Sequence, residues 1–266
     1  MKKYILLLGL LSYRVAFVKA QQPKSDTTAL YVNTAIIPVP KLEEDSYNWW
    51  DRHAEVLAIK DSIKPEILLI GDSITHFWGG SPQRKYANGE LRAPNGPESW
   101  NKLFGRYRVL NIGFGWDRTQ NVLWRLDHGE IDGINPRLVI INIGTNNTSG
   151  TSAARKNTAT EIVDGIMAIY ARVRTEIPNS KIVVMALFPR ESDPDSPRRV
   201  LINQVNGQLK VLADHHNINL INIGPAMLNP DGTFLPGMML DFTHPTDRGY
   251  QVWADAIKPF INAAIK

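Results

Sequence analysis

The chain has 266 residues, of which 43% are hydrophobic and 21% charged, and it contains no cysteine. This composition is typical of a globular domain and excludes a disordered tail protein, a collagen and a multi-span membrane protein. The lack of cysteine excludes disulfides, cysteine metal ligands and a thiol nucleophile.

The formal net charge of +4 depends on the first 20 residues, which hold four basic residues and no acidic one. Without them the chain is formally neutral, so its basic character does not indicate nucleic-acid binding. The segment starts with Lys2 and Lys3, continues with an apolar run over Tyr4–Leu11 and ends at Val18-Lys19-Ala20. This pattern predicts a cleaved signal peptide over residues 1–20 and a periplasmic or secreted protein. The apolar run is far too short for a membrane span, so no stable membrane insertion is expected.

Residues 21–45 are polar, contain three prolines and show no periodicity, which predicts an extended N-terminal arm. Residues 46–266 show no internal linker and are predicted to form one domain, in which short apolar runs alternate with helical stretches. The predicted strands are Glu66–Ile70, Val109–Ile112, Leu138–Ile143, Lys181–Leu187 and Asn219–Ile223. The predicted helices are Ser46–Ser62, Thr119–Asp127, Ser152–Glu176, Pro197–His216 and Thr246–Ile265.

The strands are continuous in isoleucine, leucine and valine, which is typical of strands buried on both faces. Their alternation with helices predicts an α/β fold of three layers: a five-stranded parallel sheet with helices on both faces. We expect the flavodoxin-like strand order 2-1-3-4-5. A long loop over Gly79–Ser99 follows the first strand, and such loops are often functional.

Polar segments follow the strands at the edge of the sheet where ligands of such folds bind. The segments are Gly71-Asp72-Ser73, Gly113-Phe114-Gly115-Trp116-Asp117, Gly144-Thr145-Asn146-Asn147 and, before the last helix, Asp241-Phe242-Thr243-His244. Together they supply a hydroxyl, backbone amides, a side-chain amide and an Asp–His pair. These are the parts of a serine hydrolase.

At these residues the sequence resembles the SGNH (GDSL-type) hydrolase family, with Ser73, Asn146, Asp241 and His244 at matching positions. From about Trp49 to the C-terminus it is most similar to the catalytic subunits of platelet-activating-factor acetylhydrolases. The resemblance implies Ser73 as nucleophile, His244 as general base and Asp241 as the group that orients the imidazole.

The resemblance also implies an oxyanion hole made of the Ser73 N–H, the Asn146 side-chain amide and a second backbone N–H. The family usually places a glycine directly before the acidic residue of the second segment, whereas here Trp116 precedes Asp117. We expect the Trp116 N–H to take this role, with Gly115 as the alternative. If the position requires a positive φ, the tryptophan is strained where glycine is not.

Other residues have less specific interpretations. Asp72 and Asp117 are expected to bond the backbone of their turns, and His53 to lie at the surface or at a cap. His76, Phe77 and Trp78 either line the substrate pocket or pack beneath the long loop.

The sequence predicts hydrolysis of a short-chain, acetyl-type carboxylic ester through an acyl-serine, without cofactor or metal. For an exported enzyme, a small-molecule or glycan ester is the expected substrate, and the family resemblance implies a possible homodimer. One alternative is a lipid-directed acylhydrolase, such as a phospholipid acetylhydrolase or lysophospholipase, which the polar loop disfavours. A second is a non-catalytic glycan-binding module, disfavoured by the complete Ser, His and Asp set. A nucleotide-binding domain is disfavoured because no phosphate-binding loop is present.

Overall fold

Five strands rich in isoleucine, leucine and valine form one parallel sheet in residues 32–265, the part of the chain that the computed structural model describes. The strands are β1 (Ile67–Gly71), β2 (Val109–Gly113), β3 (Leu138–Asn142), β4 (Lys181–Met185) and β5 (Asn219–Ile221). Their order is β2-β1-β3-β4-β5, and each neighbouring pair is parallel. The predicted α/β fold and strand order are confirmed.

Helices connect the strands. The α-helices of residues 32–265 are α1 (Trp49–Ile63), α2 (Ser73–His76), α3 (Pro97–Phe104), α4 (Thr119–Asp127), α5 (Ala159–Glu176), α6 (Pro197–His216), α7 (Gly224–Met227) and α8 (Asp247–Ala264). The short helices α2, α3 and α7 were not predicted from the sequence. Helix α5 begins later than predicted because Thr158 caps it, and Glu161 returns a hydrogen bond to the Thr158 N–H.

Alternate residues of each strand point to opposite faces of the sheet and build two cores. In β1, Leu68 and Ile70 pack in the core formed with α1, α4, α5 and α6. Ile67 and Leu69 pack in the core formed with α3 and α8. All four side chains are fully buried. The fold therefore has three layers, and the carboxyl ends of β1, β2 and β3 open on one edge.

The described part of the predicted arm packs against the domain. It carries a short 3-10 turn over Thr34–Ile36, in which Ala35 is buried and accepts a hydrogen bond from the Thr119 hydroxyl at 2.8 Å. The Asn121 side chain donates to the carbonyl of Pro40 at 2.6 Å. The predicted signal peptide and the first part of the arm lie outside the described residues. Within residues 32–265, no helix combines the length and the hydropathy that crossing a bilayer requires.

Candidate active site

A tight turn between β1 and α2 presents Ser73 at the carboxyl edge of the sheet. Ser73 is the first residue of α2, and Asp72 caps the helix by accepting the Ile74 N–H at 2.9 Å. Gly71 is required just before this turn, because a Cβ atom there would lie 2.1 Å from the Thr75 hydroxyl oxygen. The turn thus places the Ser73 hydroxyl and its backbone N–H at the same point of the site.

Ser73, His244 and Asp241 form a hydrogen-bonded chain. The His244 Nε2 atom lies 2.9 Å from the Ser73 Oγ atom, and its Nδ1 atom lies 2.8 Å from the Asp241 Oδ2 atom. Ionised Asp241 only accepts hydrogen bonds, so the proton of the neutral imidazole belongs on Nδ1, and Nε2 accepts from the serine hydroxyl. This is the arrangement that a histidine base needs in order to activate a serine.

Asp241 is held by the loop that carries His244. Its Oδ1 atom accepts the backbone N–H groups of Thr243 and His244, at 3.1 and 2.8 Å. Burial acts to raise the pKa of this carboxyl, but the hydrogen bonds from the His244 side chain and backbone outweigh it and lower the pKa below its usual value. Asp241 is therefore an anion near neutral pH and accepts the Nδ1 proton of His244.

Three hydrogen-bond donors are available for an oxyanion. Within residues 32–265, the backbone N–H groups of Ser73 and Trp116 have no acceptor. The Asn146 Nδ2 atom donates one hydrogen to the carbonyl of Asp117 at 2.9 Å, which fixes the amide and leaves its second hydrogen free. Donors held in advance in this way are what stabilises a tetrahedral intermediate.

The N–H of Gly115, the alternative second donor, is already engaged. It donates to the Nδ1 atom of His76 at 3.3 Å, and the Tyr47 hydroxyl donates to the Gly115 carbonyl at 3.1 Å. The next N–H in the chain, that of Trp116, is free. Trp116 is therefore the better candidate for the second backbone donor.

Trp116 has a φ of +63°, a left-handed conformation that favours glycine. This explains why a glycine suits the position and shows that the tryptophan is strained there. Phe242, between Asp241 and His244, has a φ of +58°. Both aromatic side chains are exposed, Trp116 by 42% and Phe242 by 50%. The two strained turns, which belong to the segments that carry the Trp116 N–H and the Asp241–His244 pair, thus expose aromatic side chains.

A buried charge network holds the turn that carries Trp116. Asp117 accepts from the Trp49 indole and from Arg125, both at 2.8 Å, and Arg125 also pairs with Glu130. Glu130 in turn contacts His53 Nδ1 at 2.8 Å. The expectation that the Asp117 carboxylate bonds the backbone of its turn was wrong, as was a surface or capping position for His53. Sequence spacing does not show that these side chains meet, because α1, α4 and the turn converge only in three dimensions.

His76, Phe77 and Trp78, at the end of α2 and just after it, are buried. Burial lowers the pKa of His76 well below its usual value, so the imidazole is neutral and accepts from Gly115. The Phe77 ring lies 5.0 Å from the His244 ring, between centroids. Trp78 is completely buried and stacks on Trp253, with ring centroids 4.5 Å apart. Of the two interpretations, Trp78 therefore packs in the core, whereas Phe77 contacts the catalytic candidate His244.

Comparison with known proteins points to one family. Residues 69–252 match the model of the GDSL-like lipase/acylhydrolase family. The chain is 35% identical over 217 residues to the rat (Rattus norvegicus) platelet-activating factor acetylhydrolase IB subunit alpha2, an alignment that covers 80% of this chain and 84% of that protein.

Solved structures share the fold. A GDSL-like lipase from Bacteroides thetaiotaomicron superposes with a TM-score of 0.60 at 17% identity, covering 80% of this chain and 100% of the other. An acetylxylan esterase from Geobacillus stearothermophilus superposes with a TM-score of 0.56 at 18% identity, covering 76% and 94%.

Proposed function

Because the chain belongs to the GDSL-like lipase/acylhydrolase family and is a carboxylic ester hydrolase, we propose that it removes acetyl groups from carbohydrate esters outside the cytoplasm. The observation that carries the proposal is the hydrogen-bonded chain from the Ser73 hydroxyl through His244 to Asp241. Ser73 is the proposed nucleophile, His244 the general base and Asp241 the group that orients and stabilises the imidazolium.

In the acylation step, the Ser73 Oγ atom attacks the ester carbonyl while its proton moves to His244 Nε2. The carbonyl oxygen becomes an oxyanion, which accepts hydrogen bonds from the Ser73 N–H, the Trp116 N–H and the Asn146 amide. His244 then gives its proton to the leaving alcohol, and the acyl group stays on Ser73.

In the deacylation step, a water molecule attacks the acyl-serine carbonyl and transfers a proton to His244. Collapse of the second tetrahedral intermediate releases the carboxylic acid, and His244 returns the proton to Ser73. Asp241 remains ionised throughout, because its two backbone hydrogen bonds and the contact with His244 favour the anion. Each step thus uses groups that the site already holds in place.

Two observations support acetylated carbohydrate as the substrate class. A similar protein is a platelet-activating factor acetylhydrolase subunit and a structural neighbour is an acetylxylan esterase, and both names refer to acetyl esters. The exposed rings of Trp116 and Phe242 suit stacking on sugar rings. The export signal predicted from residues 1–20 supports an extracellular or periplasmic site of action.

A phospholipid acetylhydrolase is the second candidate function. The specific observation that favours it is the 35% identity to the platelet-activating factor acetylhydrolase subunit. The two candidates are distinguished by measuring kcat/KM for acetylated xylo-oligosaccharides and for platelet-activating factor with the same preparation. A higher value for the oligosaccharides favours the carbohydrate esterase, and a higher value for platelet-activating factor favours the phospholipid acetylhydrolase.

The proposal is tested with p-nitrophenyl esters from acetate to palmitate. We expect kcat/KM to fall steeply as the acyl chain lengthens, and Ser73→Ala to abolish turnover while keeping the fold. Ser62→Ala, an exposed serine on α1, is the matched control and is expected to keep wild-type rates. A maximum at long acyl chains would contradict the short-acyl proposal, and full activity in Ser73→Ala would contradict the assignment of the nucleophile.

A further inference from the structure

Two arginines stand side by side in the loop that follows α2. This segment, the 79–96 loop, folds back on itself: Lys85 pairs with Leu91 in an antiparallel bridge, and the Arg92 N–H donates to the Arg84 carbonyl at 2.9 Å. A cavity of about 280 Å³ opens within the loop, and Gln83 and both arginines line it. The fold of the loop therefore brings two guanidinium groups to the wall of one cavity.

Neither arginine has a direct ion-pair partner among the described residues. Within residues 32–265, no carboxylate lies within ion-pair distance of Arg84 or Arg92. Arg84 donates from Nη1 to the Ala93 carbonyl at 3.3 Å and to Asn95 at 3.1 Å, and Arg92 donates to the Ser46 hydroxyl at 2.8 Å. Within residues 32–265 their other N–H groups have no protein acceptor, and these groups keep some solvent exposure because they are not among the fully buried unpartnered atoms.

The two positive charges repel each other. Burial first, and the charge of Arg92 second, lower the pKa of Arg84 to about 10, so Arg84 remains charged at neutral pH. Asp45 acts on Arg84 from beyond ion-pair distance, and its Oδ1 atom accepts from the Ser46 hydroxyl to which Arg92 donates. Buried Arg125, by contrast, is flanked by Asp117 and Glu130. An anion in the cavity would offset the repulsion between Arg84 and Arg92 and accept their free N–H groups.

One aromatic ring, that of Phe77, lies between the two arginines and the catalytic candidate His244. The guanidinium carbon of Arg84 lies 3.4 Å from the centroid of the Phe77 ring, and that of Arg92 lies 5.7 Å from it. Phe77 also contacts the ring of His244. A substrate whose ester lies at Ser73 can therefore place a more distant part of its alcohol portion at the two arginines.

We propose that the cavity of the 79–96 loop is a subsite for an oxyanion, a carboxylate or phosphate, on the alcohol portion of the ester, and that Arg84 and Arg92 bind it. The inference rests on the proposed esterase function and narrows its substrate class to acidic esters, with an acidic sugar as the form that fits a carbohydrate substrate. Arg84 also packs on Phe77, so Arg92 is the residue to vary.

Direct binding tests the subsite independently of turnover. Calorimetry would compare methyl glucuronoside with neutral methyl glucoside, and glycerol 3-phosphate with glycerol, on the purified protein. We expect at least one anion to bind about tenfold more tightly than its neutral partner, as a charge-assisted bidentate contact does. The advantage should shrink in 0.5 M NaCl, where the Debye length is only a few Å, roughly 4 Å. The anion that binds more tightly identifies carboxylate or phosphate as the natural group.

Variants connect the binding to the arginines. Arg92→Gln is expected to remove most of the tenfold preference, and Arg92→Lys to restore part of it. Arg106→Gln is the matched control, since Arg106 is exposed and also lies over an aromatic ring, that of Tyr107, outside the cavity lining. Equal binding of the charged and neutral ligands, or a preference that survives Arg92→Gln, would overturn the subsite. The p-nitrophenyl acetate assay on the same samples reports separately on the esterase proposal.

Discussion

The Gly115 N–H donates to the Nδ1 atom of His76, whereas the following N–H, that of Trp116, has no acceptor within residues 32–265. His76 is buried, and burial lowers its pKa well below the usual value, so the ring stays neutral and keeps Nδ1 as an acceptor. A neutral histidine outside the Ser–His–Asp set thus positions a donor of the proposed oxyanion hole.

Replacing His76 tests this positioning. His76→Leu removes the acceptor and leaves the Gly115 N–H unpaired in a buried position, while His76→Asn offers an oxygen near the place of Nδ1. We expect kcat on p-nitrophenyl acetate to fall by about 10–100-fold in the leucine variant, less than the full loss of an oxyanion donor. The asparagine variant should recover part of this loss. A leucine variant with the wild-type kcat would show that the hydrogen bond does not matter for catalysis.

The strain at Trp116 is measurable as stability. Trp116→Gly and Trp116→Ala remove the same indole, but alanine disfavours the φ of +63° and glycine does not. We expect the free energy of unfolding to be about 1 kcal/mol higher in the glycine variant than in the alanine variant. The reason is that a left-handed backbone conformation is unfavourable for a residue with a Cβ atom. Urea denaturation of both variants measures the difference. A more stable alanine variant would contradict the left-handed conformation at this position.

Asp72 is predicted to make stability depend on pH. Burial raises the pKa of its carboxyl to about 7, and its Oδ2 atom has no partner within residues 32–265. The unfolded carboxyl titrates near 3.9, so between about pH 4 and pH 7 the folded state holds a proton that the unfolded state has lost. The contribution of this group to stability therefore falls as the pH rises through that window.

Asp72→Asn removes this titration and keeps an oxygen that can accept the Ile74 N–H. Relative to the wild type, we expect the free energy of unfolding of the variant to rise by on the order of 2–4 kcal/mol from pH 4 to pH 8. Urea denaturation at pH 4, 6 and 8 measures it. Asp117, whose pKa burial raises to about 6, is present in both proteins, and its charge also helps to raise the pKa of Asp72. A constant difference at all three pH values would be the contrary result.

Replacement of Arg125 is predicted to lower the free energy of unfolding strongly. Its guanidinium is completely buried between Asp117 and Glu130. Arg125→Met leaves both carboxylates without their cation and should destabilise the fold by about 3–5 kcal/mol. Arg172→Met is the matched control, because Arg172 pairs with Asp127 at a partly exposed site, where we expect a loss of about 1 kcal/mol or less. Thermal and urea unfolding of the two variants provide the comparison.

The sequence alone was sufficient for the α/β fold, the strand order and the grouping of Ser73, Asn146, Asp241 and His244 at one edge of the sheet. The reason is that buried parallel strands have a recognisable composition, and the ends of parallel strands meet at the same edge. The capping residues Thr158 and Glu161 are visible in the sequence, but the predicted helix began too early, at Ser152.

Tertiary structure alone decided which groups at that edge are free and which are engaged. The Gly115 N–H donates to His76, and the Asp117 carboxylate accepts from Arg125. Two arginines of the 79–96 loop line a cavity and have no ion-pair partner within the described part of the chain. Local sequence patterns report the periodicity of burial, whereas hydrogen bonds and charge pairs between distant segments depend on side-chain positions that only the packed chain defines.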